Sequence, residues 1–162
     1  MKKFIILFLI ISVSFGLILA EGDFDKLLKK AKKGDAEAQG EVGYMYFNGN
    51  GVDKNLIKAH KWFKKSANKG YPKAQFYMWA LGKTGISGEE GKEKANEWLI
   101  KSAENDFPKA QLTLASFYSE GRYFEKNKSK AKMWLEKLIE NDNATKKMKK
   151  TVKMYMISKD LD

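Results

Sequence analysis

The sequence predicts an all-α fold: an α/α superhelical solenoid of antiparallel helix pairs, with three repeats, a half-repeat ahead of them and a C-terminal capping helix. Three observations lead there. Trp62, Trp98 and Trp134 stand 36 residues apart, and the rest of the sequence keeps step without insertion or deletion. Within each period apolar residues recur at three- and four-residue intervals, the spacing of a helix buried along one side. Glycine-rich segments interrupt these stretches at constant positions, where the chain must turn.

The elements follow in order from the N-terminus. Lys2 and Lys3 precede an apolar run from Phe4 to Ile11 that continues, with small polar interruptions, to Leu19. This is the pattern of a secretory signal peptide, with cleavage expected after Ala20 or, failing that, after Gly16. An uncleaved anchor is the competing reading, because the run falls only a little short of the ~20 residues that span a bilayer. Cleavage at Ala20 removes two lysines and no acid, lowering the net charge from +11 to +9. A lipid anchor would need a cysteine beside the cleavage site, and the 162-residue sequence contains none. Disulfides and thiolate metal sites are excluded on the same ground. The expected organisation is a signal peptide over 1–20, a half-repeat helix over 21–34, repeats over 35–70, 71–106 and 107–142, and a basic capping helix over 143–162.

In the half-repeat, Phe24, Leu27, Leu28 and Ala31 hold the phase of a second helix from a preceding unit, and Gly34 ends it. In the first repeat, Ala38, Val42, Met45 and Tyr46 mark one side of a helix from Asp35 to Phe47. Asn48-Gly49-Asn50-Gly51 breaks it, since glycine and asparagine accept left-handed backbone angles. A second helix is expected to begin near Asp53, with Leu56, Ala59, Phe63 and Ala67 inward and Lys58, Lys61, Lys64 and Lys65 largely opposite; Gly70 stops it. The correspondences run through all copies: Ala38-Gln39, Ala74-Gln75 and Ala110-Gln111; Gly49, Gly85 and Gly121; Ala59, Ala95 and Ala131. Phe63, Leu99 and Leu135 are followed by Ser66-Ala67, Ser102-Ala103 and, where the third copy drifts, Lys137-Leu138. Small residues such as Gly43 let helices approach while aromatic side chains fill the spaces between. One helix pair cannot bury its apolar face alone, so stacked neighbours supply the core. At the far end Ala144 to Ile157 places Met148, Val152, Tyr155 and Met156 on one face and Lys146, Lys147, Lys149, Lys150 and Lys153 mostly elsewhere, as a cap requires.

The run Ala38-Gln39, Val42-Gly43, Tyr46, Gly49-Asn50-Gly51-Val52, Ala59, Trp62-Phe63, Ser66-Ala67 and Gly70 resembles the Sel-1-like repeat, a relative of the tetratricopeptide repeat. The latter has a 34-residue period and usually closes on proline. The resemblance covers Phe24 to Asp142. It implies a right-handed superhelix that scaffolds protein complexes, with exported bacterial members acting in envelope, signalling or host-contact roles, and it implies no reaction. Some exported relatives tie each helix pair with a disulfide, which this chain cannot do. The middle copy departs from the pattern. Gly82 stands in place of Tyr46, Trp79 in place of Gly43, and Ile86 to Gly91 differs from Asn50 to Asn55. An altered groove is expected there.

Catalytic signals are weak. His60 is the only histidine, so a two-histidine metal site or a histidine-paired nucleophile cannot form within one chain. It is read as a rim residue of the second helix. Gly82-Lys83-Thr84 faintly echoes a phosphate-binding loop, but Tyr77 stands where the first glycine belongs and no strand precedes it. Glu89-Glu90 and the Glu136, Glu140 pair read as solvated charge. Tryptophans and tyrosines read as core spacers because they recur at repeat positions. No catalytic, cofactor or metal site is expected.

The sequence therefore points to an exported scaffold, periplasmic or secreted, that binds a protein or peptide partner on the concave side lined by the first helix of each unit. The candidate partner-binding residues are Glu41, Tyr44 and Asn48, with their equivalents Tyr77, Ala80 and Thr84 and then Thr113, Ser116 and Glu120. The alternative is a basic protein held electrostatically on anionic lipid or wall polymers through its lysine faces and C-terminal helix. Nucleic acid is not expected as a partner, and the chain is expected to be monomeric or weakly self-associating.

Overall fold

Side-chain caps start the helices that begin at Ala36, Leu56 and Lys128, and left-handed glycines end those that close at Asn48 and Glu120. The computed structural model describes residues 23–158, and among them all regular structure is helical. The helices are α1 (23–32), α2 (Ala36–Asn48), α3 (Leu56–Ala67), α4 (Pro72–Gly82), α5 (Gly88–Glu93), α6 (Ala95–Glu104), α7 (Pro108–Glu120), α8 (Lys128–Glu140) and α9 (Lys146–Ser158). The signal-peptide and anchor readings fall on residues outside the described ones. Two compact units divide between Lys69 and Gly70.

The first unit holds α1, α2 and α3. Asp35 caps α2 by accepting the Ala38 amide at 2.7 Å, and Gly49 closes it in the left-handed conformation at φ 81°. The following helix starts at Leu56, three residues later than Asp53 suggested. Asn55 is the cap: its side chain accepts the Lys58 amide at 2.8 Å while its own amide donates to Tyr46 O at 2.8 Å. One asparagine thus starts α3 and ties it to the end of α2. Phe24, Ala31, Ala38 and Val42 form the core, with Leu27, Leu28, Met45, Tyr46, Val52 and Trp62 packed around them. Gly43 brings α2 close to α3. A Cβ there would lie 2.7 Å from Cδ1 and 2.9 Å from Cε1 of Phe63, whose ring is fully buried.

The second unit holds α4 to α9. In its last repeat the asparagine device recurs: Asn127 accepts the Lys130 amide and donates its own to Tyr118 O, both at 2.8 Å. The middle repeat lacks it, because Gly91 stands at that position. The short α5 fills the gap, and α6 starts at Ala95 without a side-chain cap. Gly82 compensates for the missing tie. A Cβ at Gly82 would come within 2.7 Å of Ala95 Cβ and 2.8 Å of Gly91 O, so only glycine lets α4 and α6 meet this closely. Small and large residues have exchanged places relative to Gly43 and Tyr46. The exchange leaves the Trp79 indole Nε1 buried without a hydrogen-bond acceptor.

Polar side chains fix the pairs in register. Ser66 Oγ donates to Ala36 O at 2.6 Å and Ser102 Oγ to Pro72 O at 2.7 Å, the same bond one repeat apart. Leu138 takes the serine position in the third copy and is fully buried there. In the first and third copies the glutamine of the Ala-Gln pair reaches the helix before it: Gln39 Nε2 donates to Ala31 O at 3.0 Å and Gln111 Nε2 to Ala103 O at 3.2 Å. In the second and third copies the oxygen serves the helix that follows, with Asn105 Nδ2 donating to Gln75 Oε1 at 2.9 Å and Asn141 Nδ2 to Gln111 Oε1 at 2.8 Å, whereas Gln39 Oε1 is buried without a partner. In the last repeat the glutamine bridges three consecutive helical segments while fully buried. At Gln111 this geometry matches both ends of a buried amide, which left unmatched would cost about 1–3 kcal/mol.

The recurring tryptophans serve a different purpose. Trp134 is buried and Trp62 and Trp98 are half-buried. Each carries the ammonium of the lysine three residues on over its ring: Lys65 at 4.7 Å, Lys101 at 4.9 Å and Lys137 at 5.1 Å. At this spacing the two side chains share one helix face. Helix α9 begins at Lys146, two residues after Ala144, where Thr145 Oγ1 accepts the Met148 amide at 3.2 Å. Val152 and Met156 are buried in the core of this unit, and Tyr155 Oη bonds Ser119 Oγ at 3.3 Å.

Candidate functional site

Two departures from the repeat pattern, Trp79 and Tyr123, meet on one surface of the second unit. Trp79 and Ala80 of α4, with Lys83 capping its C-terminus, face Leu112, Thr113, Ser116 and Phe117 of α7, and Arg122 and Tyr123 close one end. Together they line a groove of about 570 Å³. Its floor is aromatic: Trp79 and Phe117 meet edge to face at 5.9 Å, and Tyr123 lies 4.7 Å from Phe117.

Backbone conformation sets the end wall. Gly121 ends α7 at φ 73°, and Tyr123, where the first repeat has Gly51, holds φ 64°. For a bulky residue that left-handed conformation is strained by about 1–3 kcal/mol. The Tyr123 ring stands 57% exposed at the mouth of the groove. Two cations bracket it. Lys83 Nζ lies 4.3 Å from the Tyr123 ring centre and the Arg122 guanidinium 5.4 Å from that of Phe117. Glu120, just outside the groove, pairs with Arg122 at 2.6 Å and accepts from Ser116 Oγ at 2.8 Å. The groove is aromatic, and its charged lining residues are two cations, of which Arg122 is paired with Glu120.

The candidate residues expected from sequence divide. Ala80, Thr113 and Ser116 line the groove, and Glu120 borders it through Arg122. Thr113 Oγ1 donates to Lys109 O at 2.7 Å. Tyr77 packs its half-buried ring against Phe76 at 5.8 Å, and Thr84 donates to Leu81 O at 2.7 Å; neither lines the groove. Glu41, Tyr44 and Asn48 lie on α2 of the other unit, where Asn48 Nδ2 donates to Tyr44 O at 3.2 Å. Trp79 and Tyr123 differ from the core-spacer reading, because both border open space rather than a closed interior. The signal that marks them is departure from the repeat, an aromatic residue where another copy has glycine. His60 lies half-buried on α3, where burial and then Lys64 hold its pKa below the ordinary histidine value. Among the described residues no group of three or more histidine, cysteine, aspartate or glutamate side chains could hold a metal ion.

The family profile described as Sel1 repeat matches residues 36–71, 74–107 and 108–143. The chain belongs to the Sel1 repeat family. Solved structures agree, and they place its fold in the α/α superhelical repeat class. A Sel1 repeat protein from Oxalobacter formigenes matches 87% of this chain at a TM-score of 0.75 and 28% identity, over 40% of its own length. A protective antigen present in uropathogenic Escherichia coli strains, displaying an SLR fold, matches 72% of this chain at a TM-score of 0.59 and 35% identity, over 25% of its length. Among curated proteins, the secretory immunoglobulin A-binding protein EsiB of Escherichia coli is 42% identical over 48 residues, covering 30% of this chain and 10% of EsiB. Chitin synthase regulatory factor 3 of Schizosaccharomyces pombe is 45% identical over 47 residues, 29% of this chain and 5% of that protein. The chain thus spans well under half the length of these relatives. Sel1 repeats act as protein-interaction scaffolds, and that general role applies here.

Proposed function

We propose that this chain is an exported, non-catalytic scaffold whose groove between α4 and α7 holds an extended segment of a protein partner. An apolar or aromatic side chain of the partner sits over Trp79 and Phe117, and a neighbouring carboxylate meets Lys83. The observation that carries this reading is the strained, exposed Tyr123 at the rim of an aromatic groove whose charged lining residues are both cations. Strain of this kind persists at sites where geometry serves binding. The immunoglobulin-binding relative supports a protein as partner. The apolar run behind Lys2 and Lys3 supports export.

Tyr123→Gly tests the groove. The substitution relieves the left-handed strain but removes the ring from Phe117, so stability is expected to stay within about 1 kcal/mol of the parent. Capture of the native partner in a pull-down is expected to drop at least tenfold, and Lys83→Glu to do the same without affecting stability. Undiminished capture by both variants would overturn the assignment of the groove. Export is read by protease accessibility in intact cells, with and without residues 1–20.

A further inference from the structure

Helix α9 stands where the first helix of a fourth repeat would stand, one period after α7, but its surface is unlike that of α2, α4 or α7. Those three helices contain no lysine, Lys73 alone and Lys109 alone. Helix α9 contains five lysines and no acid in 13 residues. Lys146-Lys147 replaces the Ala-Gln pair that joins one repeat to the previous one. Val152 and Met156 are buried, whereas Lys146, Lys147, Lys150 and Lys153 are exposed. Amid that cationic face lie two large apolar side chains, Met154 at 63% and Ile157 at 68% exposure. They follow Lys150 and Lys153 by one helical turn, so cations and apolar groups share a single outward face.

We propose that this face of α9 binds an anionic lipid surface, with the lysines meeting headgroup phosphates and Met154 and Ile157 entering the headgroup–acyl boundary. Solubility of a terminal helix would be served by mixed polar residues and would not leave two large apolar groups exposed. A second copy of the same face is disfavoured by lysine against lysine. A purely ionic partner, such as a soluble acidic protein, would gain nothing from Met154 and Ile157. The pairing of basic and apolar side chains on one helix suits the membrane interface, where long lysine stems reach the headgroups while neighbouring apolar groups dip below them. Each lysine near an anionic leaflet contributes attraction that fades within a Debye length and weakens with salt.

The chain has no native cysteine, so Ser158→Cys carries an environment-sensitive fluorophore at one position and reports α9 separately from the apolar N-terminal run. With the full chain, a blue shift is expected on vesicles containing phosphatidylglycerol, none on phosphatidylcholine vesicles, and loss of the shift in high salt. In the labelled Met154→Ser, Ile157→Ser variant, affinity for the anionic vesicles is expected to fall on the order of tenfold. Helical content by circular dichroism should be unchanged, because both side chains are exposed. No shift on phosphatidylglycerol vesicles would overturn the proposal. So would an equal shift with soluble polyaspartate, or affinity indifferent to the two serines, since either result makes the face a plain ionic one.

Discussion

Replacing Gly43 with alanine sets helix propensity against packing. In an isolated helix the change stabilises by about 0.8–1.0 kcal/mol. Here the new methyl would lie 2.7 Å from Cδ1 of Phe63, inside ordinary contact distance, and the ring is fully buried and cannot swing aside. Overpacking of this kind costs about 1–3 kcal/mol, and a clash with a rigid aromatic belongs in the upper half of that range. The net expectation is destabilisation of about 1–2 kcal/mol, with packing outweighing propensity. In a Phe63→Leu background the obstacle is gone and the sign should invert, so that Gly43→Ala becomes stabilising by about 0.5–1 kcal/mol. A double-mutant cycle would then give a coupling near 2 kcal/mol. Urea denaturation supplies the free energies through shifts in midpoint at constant slope. Amide exchange along α2 and α3 assigns them to the first unit. A stabilising Gly43→Ala in the parent background, or additive substitutions, would refute the close approach of these two helices.

Gln111→Met keeps the volume but removes the amide that serves Ala103 O, Asp106 Oδ1 and Asn141 Nδ2. Leaving such partners unmatched is expected to cost about 2–4 kcal/mol, read as a lower urea midpoint and faster exchange in α7 and α8. Burial and Lys64 depress the His60 pKa, so the unfolded chain binds this proton at a higher pH than the folded one. The stability associated with neutral His60 should therefore be complete above the ordinary histidine value and decline as pH falls through it toward the lower folded value. His60→Gln should flatten that part of the stability profile, measured by urea midpoints across the range.

The periodic parts of the fold were legible because each 36-residue unit repeats the same solution to the same packing problem. Alanine, glycine and aromatic residues at fixed intervals reveal which faces meet, and Asp35 and Gly49 mark the ends of α2 with ordinary capping chemistry. The start of α3 was misplaced because Asp53 and Asn55 are both competent caps; only the second also brings its amide to Tyr46 O. The reach of Gln111 across three segments depends on distances that a linear sequence does not contain. For the site, helical projection selected Ala80, Thr113 and Ser116, and departure from the repeat marked Trp79 with an altered groove, but Phe117, Arg122 and Tyr123 were overlooked. Regularity pointed toward the interior, whereas the groove is built where the repeats disagree. Tyr123 illustrates this best, since a residue in the place of a turn glycine reads as ordinary loop until its backbone angle is known.

The most direct measurement is crosslinking in the native cell with a photoreactive residue at Ser116, inside the groove, and another at Glu136, exposed on α8. The expected result is one defined protein adduct from position 116, absent from 136, and lost when Tyr123→Gly or Lys83→Glu is added. Equal adducts from both positions, or an adduct at 116 that survives those substitutions, would contradict a partner seated between α4 and α7.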